Sequence, residues 1–455
     1  MEQGFQDKKV VVYGIGKSGL AAARLLIQAG ARVSALDDRP EEELGDAPAA
    51  LRSQGVTLSL GPRPKGLLNS ADLVVVSPGV PLALPEIRGA AASGVKVWAE
   101  VELAWHFLRG GKVIGITGTN GKSTTTALTG ELLAQGGRRV FTGGNLGRPL
   151  CEAPLLAEPF EAYCVELSSF QLEGIHALRV NGAALLNFTP DHLDRYPGLD
   201  DYGAAKARIF RNQEEGDFAV VNAEDRGAVE LARAARVPLY AFSFDASPSR
   251  LPLAGRAKRC EGGFQLRLGN DTETYRLANP ALRGDHNLQN AMAAVLLARL
   301  YGVSPPQTQA GLDAFAGLAH RLESVRILHG VEWINDSKAT NVDSSLVALR
   351  ALPGNIWLIA GGRGKRAPYN PLVEASRGKL KGVLTIGEDA TAIGAAFGSS
   401  CTVYTSKTLE RAVARAYSLA QPGDIVLLSP ACASYDQFHN FEERGDAFKK
   451  LARSL

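Results

Sequence analysis

The chain has 455 residues, 45% hydrophobic and 21% charged, and carries a net charge of +3 from 50 Lys and Arg against 47 Asp and Glu. That balance describes an ordinary globular protein of roughly two to four domains, and the charge excess is too small to argue for nucleic acid or an anionic membrane surface as a partner. No apolar run reaches the length needed to span a bilayer, MEQGFQDKK shows no signal peptide, and five scattered cysteines without a C-x-x-C pair fit reduced thiols, so a cytoplasmic protein is expected.

The first module opens with KKVVVYGIGKSGLAAARLLIQAGARVSALD (8–37), which reads as strand, glycine turn, helix and second strand. Val10–Tyr13 is short, β-branched and unbroken, as in a parallel strand covered on both faces. Gly14, Gly16 and Gly19 form G-x-G-x-x-G, and Asp37 and Asp38 close the next strand. Alone this is a dinucleotide fingerprint, yet the same geometry accepts any diphosphate at a helix N-terminus. No nicotinamide site follows, so a nucleotide diphosphate belonging to the substrate accounts for the turn equally well. A further strand, Leu73–Val76, ends in Ser77-Pro78-Gly79, where a doubly wound sheet places its ligand loops.

A second module begins near Glu100. Its strand Lys112–Ile116 runs into GITGTNGKSTTTAL (115–128). The glycines at Gly115, Gly118 and Gly121 depart from the strict P-loop, whose leading glycine would fall at Ile116. Gly-Lys-Ser-Thr at a strand-to-helix junction nevertheless has the chemistry of a triphosphate cradle. In such a cradle backbone N–H groups can face phosphate oxygens, Lys122 can reach the terminal phosphates, and Ser123 or Thr124 can hold Mg²⁺.

Beyond it, the strand Tyr163–Val165 ends at Glu166, well placed as a Mg²⁺ ligand. The strand Ala183–Asn187 leads into FTPDHLDRYP, where His192 stands among Asp191, Asp194 and Arg195 in a loop that suits a metal or phosphate role. A helix is expected over Tyr202–Phe210, and on it Lys206 would ordinarily be solvated. Pro248–Arg276 has little periodicity and reads as short strands or a surface excursion. A loop opening into an apolar helix follows at 281–300, where Asn287 and Asn290 either face one nucleotide or cap the helix end.

The third module starts around Leu318, with strands near Ile356–Ala360, Gly382–Ile386 and Asp424–Leu428. HRLE (320–323) and WINDSKATN (333–341) supply Arg321, suited to a carboxylate or phosphate, together with Asp336 and Lys338. Lys365 follows a GGRG turn, and SPACASYDQFHNFEERGDAF (429–448) is a polar loop after a buried strand. Strands alternating with helices throughout argue for α/β sheets with their loops around a cleft.

These motifs together resemble the Mur ligase family. GITGTNGKST and GGNLG are similar to ATP-binding signatures shared with folylpolyglutamate synthases, and NFTPDHLDRY with AAKARIF is similar to the family's metal-binding stretch. WINDSKATN and SPACASYDQFHNFEERGDAF resemble its D-glutamate-adding branch. The resemblance implies three α/β domains: a Rossmann-like domain over 1–99, a central P-loop-type ATPase domain with a mostly parallel sheet over 100–317, and a Rossmann-like domain over 318–455. It implies ATP and Mg²⁺ as cofactors and UDP-N-acetylmuramoyl-L-alanine and D-glutamate as substrates of a monomer, without nucleic acid or membrane partners. Lys17, Ser18, Asp38, Arg39 and Gly79 would line the UDP site, which retires the dinucleotide reading. Gly118, Thr119, Asn120, Gly121, Lys122, Ser123 and Thr124 would hold the triphosphate, assisted by Asn287, Arg321 and Asp336. Ser123, Glu166 and His192 would serve Mg²⁺, as would Lys206 where the family carries a carbamylated lysine. Asn145 would lie near the reacting carboxylate. Lys338, Thr340, Lys365, Ser434, Tyr435 and Phe441 would form the D-glutamate site, Tyr435 departing from the branch's leucine. Lys122, Asn145, His192, Lys206 and Lys338 would carry the chemistry. His192 and Lys338 are candidates for taking the amine proton.

Overall fold

The alternation of strand and helix is realised in three sheets. A computed structural model describes residues 4–62, 66–192, 195–245, 251–364 and 367–455. The first sheet has the order Thr57–Leu60, Arg32–Asp37, Lys9–Tyr13, Leu73–Val76, Lys96–Ala99, all parallel. Val10 and Val12 enter one apolar cluster while Val11 and Tyr13 enter another on the opposite face, which is why the run is unbroken. The chain leaves Lys9–Tyr13 first to one side and then to the other, so a crevice opens at the C-terminal ends of Tyr13 and Val76. Gly19 is required there: a Cβ would lie 1.9 Å from the Gly14 carbonyl oxygen.

The second sheet runs Asp271–Arg276, Gly263–Leu268, Leu253–Cys260, Leu239–Ser243, Phe218–Asn222, Gly182–Leu185, Lys112–Thr117, Ala162–Glu166, Val140–Gly144. It is parallel from Leu253–Cys260 onward and antiparallel in its first two pairings. The weakly periodic stretch is thus an antiparallel extension of the sheet, its pattern blurred by exposed charges such as Arg256 and Arg267, which stand opposite each other. The strand expected to reach Asn187 ends at Leu185, and Asn187 bonds instead to Asn120 in the glycine turn. The helix expected over Tyr202–Phe210 spans Leu199–Ala207 and tightens into a 3₁₀ turn at Arg208–Phe210.

The third sheet has the order Glu323–Leu328, Val331–Asn335, Ile425–Leu428, Ile356–Gly361, Leu380–Ile386, Val403–Lys407, with only the first pairing antiparallel. Asp424, expected within a strand, instead stands just before it and accepts the Trp357 indole N–H at 3.0 Å. The chain gathers into two compact units, 1–277 with 288–314 and 278–287 with 315–455, the first holding two sheets and the second one. One apolar cluster of the first unit runs from Val10 and Leu26 through Val101 and Leu103 to Tyr163 and Leu185. Among the described residues no helix is long and apolar enough to cross a membrane.

Candidate active site

The helix Lys122–Gln135 starts directly from the glycine turn, with Gly121 as its N-cap at φ 83°. A Cβ on Gly121 would lie 2.3 Å from Asn290 Oδ1, which also accepts the Thr125 hydroxyl at 3.2 Å. Asn290 is therefore the asparagine packed on the turn, whereas Asn287 Nδ2 donates to the Arg283 carbonyl in the other unit. Spacing alone could not separate the two. Lys122 Nζ folds back onto the carbonyls of Gly118 (3.0 Å) and Thr119 (2.8 Å), and Ser123 and Thr124 lie buried in the first helical turn.

Lys206 is buried, not solvated, and its Nζ donates to the Gly118 carbonyl at 2.8 Å. Burial, with the Lys122 charge acting in the same direction, lowers its pKa to about 7. Glu166 ends the neighbouring strand, buried, with Oε1 accepting from Asn145 Nδ2 at 2.7 Å. Its Oε2 is buried without a hydrogen-bond partner among the described residues. His192 has φ 54°, sits 3.5 Å from the Asp191 carboxylate and packs on Phe170. No cluster of three His, Cys, Asp or Glu side chains is arranged for a metal among the described residues. Asp194 lies outside them.

At the crevice of the first sheet a cavity of about 500 Å³ brings together Lys17, Ser18, Asp38, Arg39 and Gly79, and Asn145 joins them from the second sheet. Tyr13, read in the sequence only as the end of a strand, forms part of the wall and places its single hydroxyl within hydrogen-bond distance of Asp38 (3.0 Å) and Glu86 (2.6 Å). Asp37 accepts the Ile15 N–H and the Arg39 fork. Burial opposes its charge, but these donors hold its carboxyl below the ordinary range.

In the second unit, burial pushes Asp336 up to about 7, against the Ser429 hydroxyl (2.8 Å), the Arg321 charge and the Leu322 N–H. Lys338 stands 5.9 Å from the Phe441 ring, and its N–H donates to the His320 carbonyl. Ser434 is buried next to the exposed Tyr435, and Thr340 is half-buried. Lys365 lies outside the described residues. The loops carrying these groups are tied by Arg444, which the sequence reading missed. Its buried guanidinium donates to the Ser337 hydroxyl and carbonyl and to the Cys432 carbonyl. A charged residue on the buried face of the helix Phe441–Ser454 was the available signal.

A glycine turn opening a helix beside a buried carboxylate, a second glycine-turn crevice in the same unit, and a separate α/β unit define a multi-sheet protein of the α/β class. Family models described as Mur ligase MurD-like N-terminal domain, Mur ligase middle domain, and Mur ligase glutamate ligase domain match residues 8–99, 116–298 and 320–432. The chain belongs to the Mur ligase family. It is 60% identical over 458 residues to a UDP-N-acetylmuramoylalanine--D-glutamate ligase from Myxococcus xanthus, covering 100% of each chain. It is 56% identical to the protein of that name from Anaeromyxobacter dehalogenans, covering 98% of this chain and 97% of that one. The UDP-N-acetylmuramate-alanine ligase of Thermotoga maritima shares the fold at TM-score 0.61 and 20% identity, over 98% of this chain and 99% of that one. A MurF structure from Acinetobacter baumannii does so at TM-score 0.60 and 18% identity, over 100% and 92%.

Proposed function

We propose that this chain is an ATP-dependent ligase that adds D-glutamate to UDP-N-acetylmuramoyl-L-alanine in peptidoglycan precursor synthesis. The observation that supports it most is the doubly bonded pair Asn145 and Glu166, with N–H to carbonyl at 2.9 Å and side chain to side chain at 2.7 Å. Asn145 lines the crevice cavity, and Glu166 ends a strand paired with the one that enters the triphosphate turn. A substrate held at its UDP end by Lys17, Ser18, Asp38, Arg39 and Gly79 would thus present its carboxylate beside the γ-phosphate.

The L-alanine carboxylate attacks the γ-phosphorus, ADP leaves, and an acyl phosphate forms. The D-glutamate amine then attacks the activated carbonyl, losing a proton, and phosphate leaves. The protein's part is positioning and charge stabilisation by the turn N–H groups and Lys122. Asn287, Arg321 and Asp336 would complete the nucleotide site. Lys338, Thr340, Lys365, Ser434, Tyr435 and Phe441 would hold D-glutamate, the lysines facing its carboxylates. His192 and Lys338 are the candidates for accepting the amine proton.

Ser123, Glu166 and His192 would hold Mg²⁺, and the unpartnered Glu166 Oε2 fits an ion that takes one or two protein carboxylates and otherwise water and phosphate. When bound, the ion supplies neutralisation of phosphate charge. Lys206, whose buried ammonium is disfavoured, would offer a neutral amine to CO₂; the N–C bond forms, a proton is released, and a carbamate ligand results. We further infer domain boundaries at 99/100 and 317/318, a monomeric state and a cytoplasmic location.

The test is ADP release with UDP-N-acetylmuramoyl-L-alanine and a panel of D- and L-amino acids. D-glutamate is expected to give the signal; a response to L-glutamate alone, or none at all, refutes the proposal.

A further inference from the structure

We infer that Arg195 is a positioning strut that couples occupancy of the cavity at Gly79 to the loop carrying His192, and through that loop to the triphosphate turn. The inference rests on the reading of these two places as the UDP-substrate and ATP sites. Arg195 Nη1 donates to the Pro78 carbonyl at 3.0 Å and Nη2 to the Val80 carbonyl at 3.1 Å. These carbonyls flank Gly79, and all three residues line the cavity. A ligand that displaces or pins Gly79 therefore acts directly on the guanidinium.

The guanidinium lies 3.8 Å over the Phe170 ring, which packs edge-on against His192 at 4.8 Å. The backbone repeats the connection: the N–H groups of Arg195 and Tyr196 both donate to the His192 carbonyl, at 3.0 and 3.1 Å. The other end of the loop is bonded to the turn. Asn187 accepts the Asn120 N–H at 2.8 Å and donates to the Asn120 carbonyl at 3.0 Å. Thr119 Oγ1 donates to the Thr189 carbonyl and accepts the Thr189 N–H, each at 3.1 Å. Asn187 and Thr189 are thus fastened to the glycine turn, and Arg195, bonded to the His192 carbonyl, to the cavity wall, all within one compact unit.

The planar fork of arginine spans two carbonyls, whereas the point charge of lysine does not hold both in one geometry. Arg195→Lys keeps the charge and breaks the strut. The readout is the affinity of the full-length protein for UDP-N-acetylmuramoyl-L-alanine with and without saturating ADP, by calorimetric titration. This ratio is not moved by a uniform loss of stability. The unsubstituted protein is expected to show coupling of about fivefold or more, and Arg195→Lys less than about twofold. Phe170→Leu, which removes the stack but leaves the fork, is expected to fall between them, and it serves as the second variant should Arg195→Lys fail to fold. A protein that binds no UDP-linked substrate refutes the functional reading itself. One that binds it with no coupling, or with coupling that both variants retain in full, overturns the strut.

Discussion

Gly121 illustrates how one residue decides the phosphate turn. Its left-handed φ costs an L-residue about 1–2 kcal/mol, and an added Cβ would collide with Asn290 Oδ1 at 2.3 Å. Gly121→Ala must therefore either twist the turn or expel Asn290. We expect it to weaken ADP binding about tenfold or more, equivalent to about 1.4 kcal/mol, while binding of the UDP-linked substrate is preserved. Titration calorimetry of both ligands checks this, and equal weakening of both would point to general unfolding. The turn's glycine was legible in the sequence because a left-handed N-cap at a strand-to-helix junction favours it. The Asn290 contact was not, because it joins residues far apart in the chain.

The short helix Glu100–Trp105 carries two buried carboxylates with opposite electrostatic outcomes. Glu102 accepts the N–H groups of His176, Ala177 and Leu178 and so binds the helix to the second sheet's loop. Burial opposes its charge, but the His106 ring and these three donors hold its pKa below the ordinary value. Glu100 accepts the Cys151 N–H at 2.6 Å, but its Oε2 is buried without a partner among the described residues. Burial raises its pKa from 4.5 to about 7. Between those values the folded state holds a proton that the unfolded state has released, so this group's contribution to stability falls as pH rises through the window. Glu100→Gln removes that loss. Its stability relative to the unsubstituted protein is expected to rise by about 2–3 kcal/mol between pH 5 and pH 8. Urea midpoints at the two pH values measure it, and a pH-independent difference would show that Glu100 is ionised throughout.

At the scale of the molecule, each compact unit has its own apolar core and its own pair of indoles. Trp98 and Trp105 lie in the first unit, Trp333 and Trp357 in the second. Independent cores need not unfold together, and a single two-state transition is not expected of them. Replacing Trp98 and Trp105 by Phe leaves fluorescence that reports the second unit, and replacing Trp333 and Trp357 leaves the first. The two urea midpoints are expected to differ, whereas coincident midpoints would mean that the units unfold as one.

The sequence by itself determined the strand–helix alternation, the two glycine turns and the residue types around them. These follow from local backbone geometry and from the chemistry of phosphate and carboxylate recognition, both written over a few adjacent residues. Tertiary structure alone decided which side chains meet. Lys206 reads as a solvated helical lysine until the fold buries it against Gly118, and Arg444 reads as one charge among several until its helix packs beneath two loops. Arg195 reads as part of a charged loop until that loop reaches the carbonyls on either side of Gly79. In each case the partners include a backbone carbonyl remote in sequence. A carbonyl carries no side-chain identity, so no pattern of residues announces it in advance.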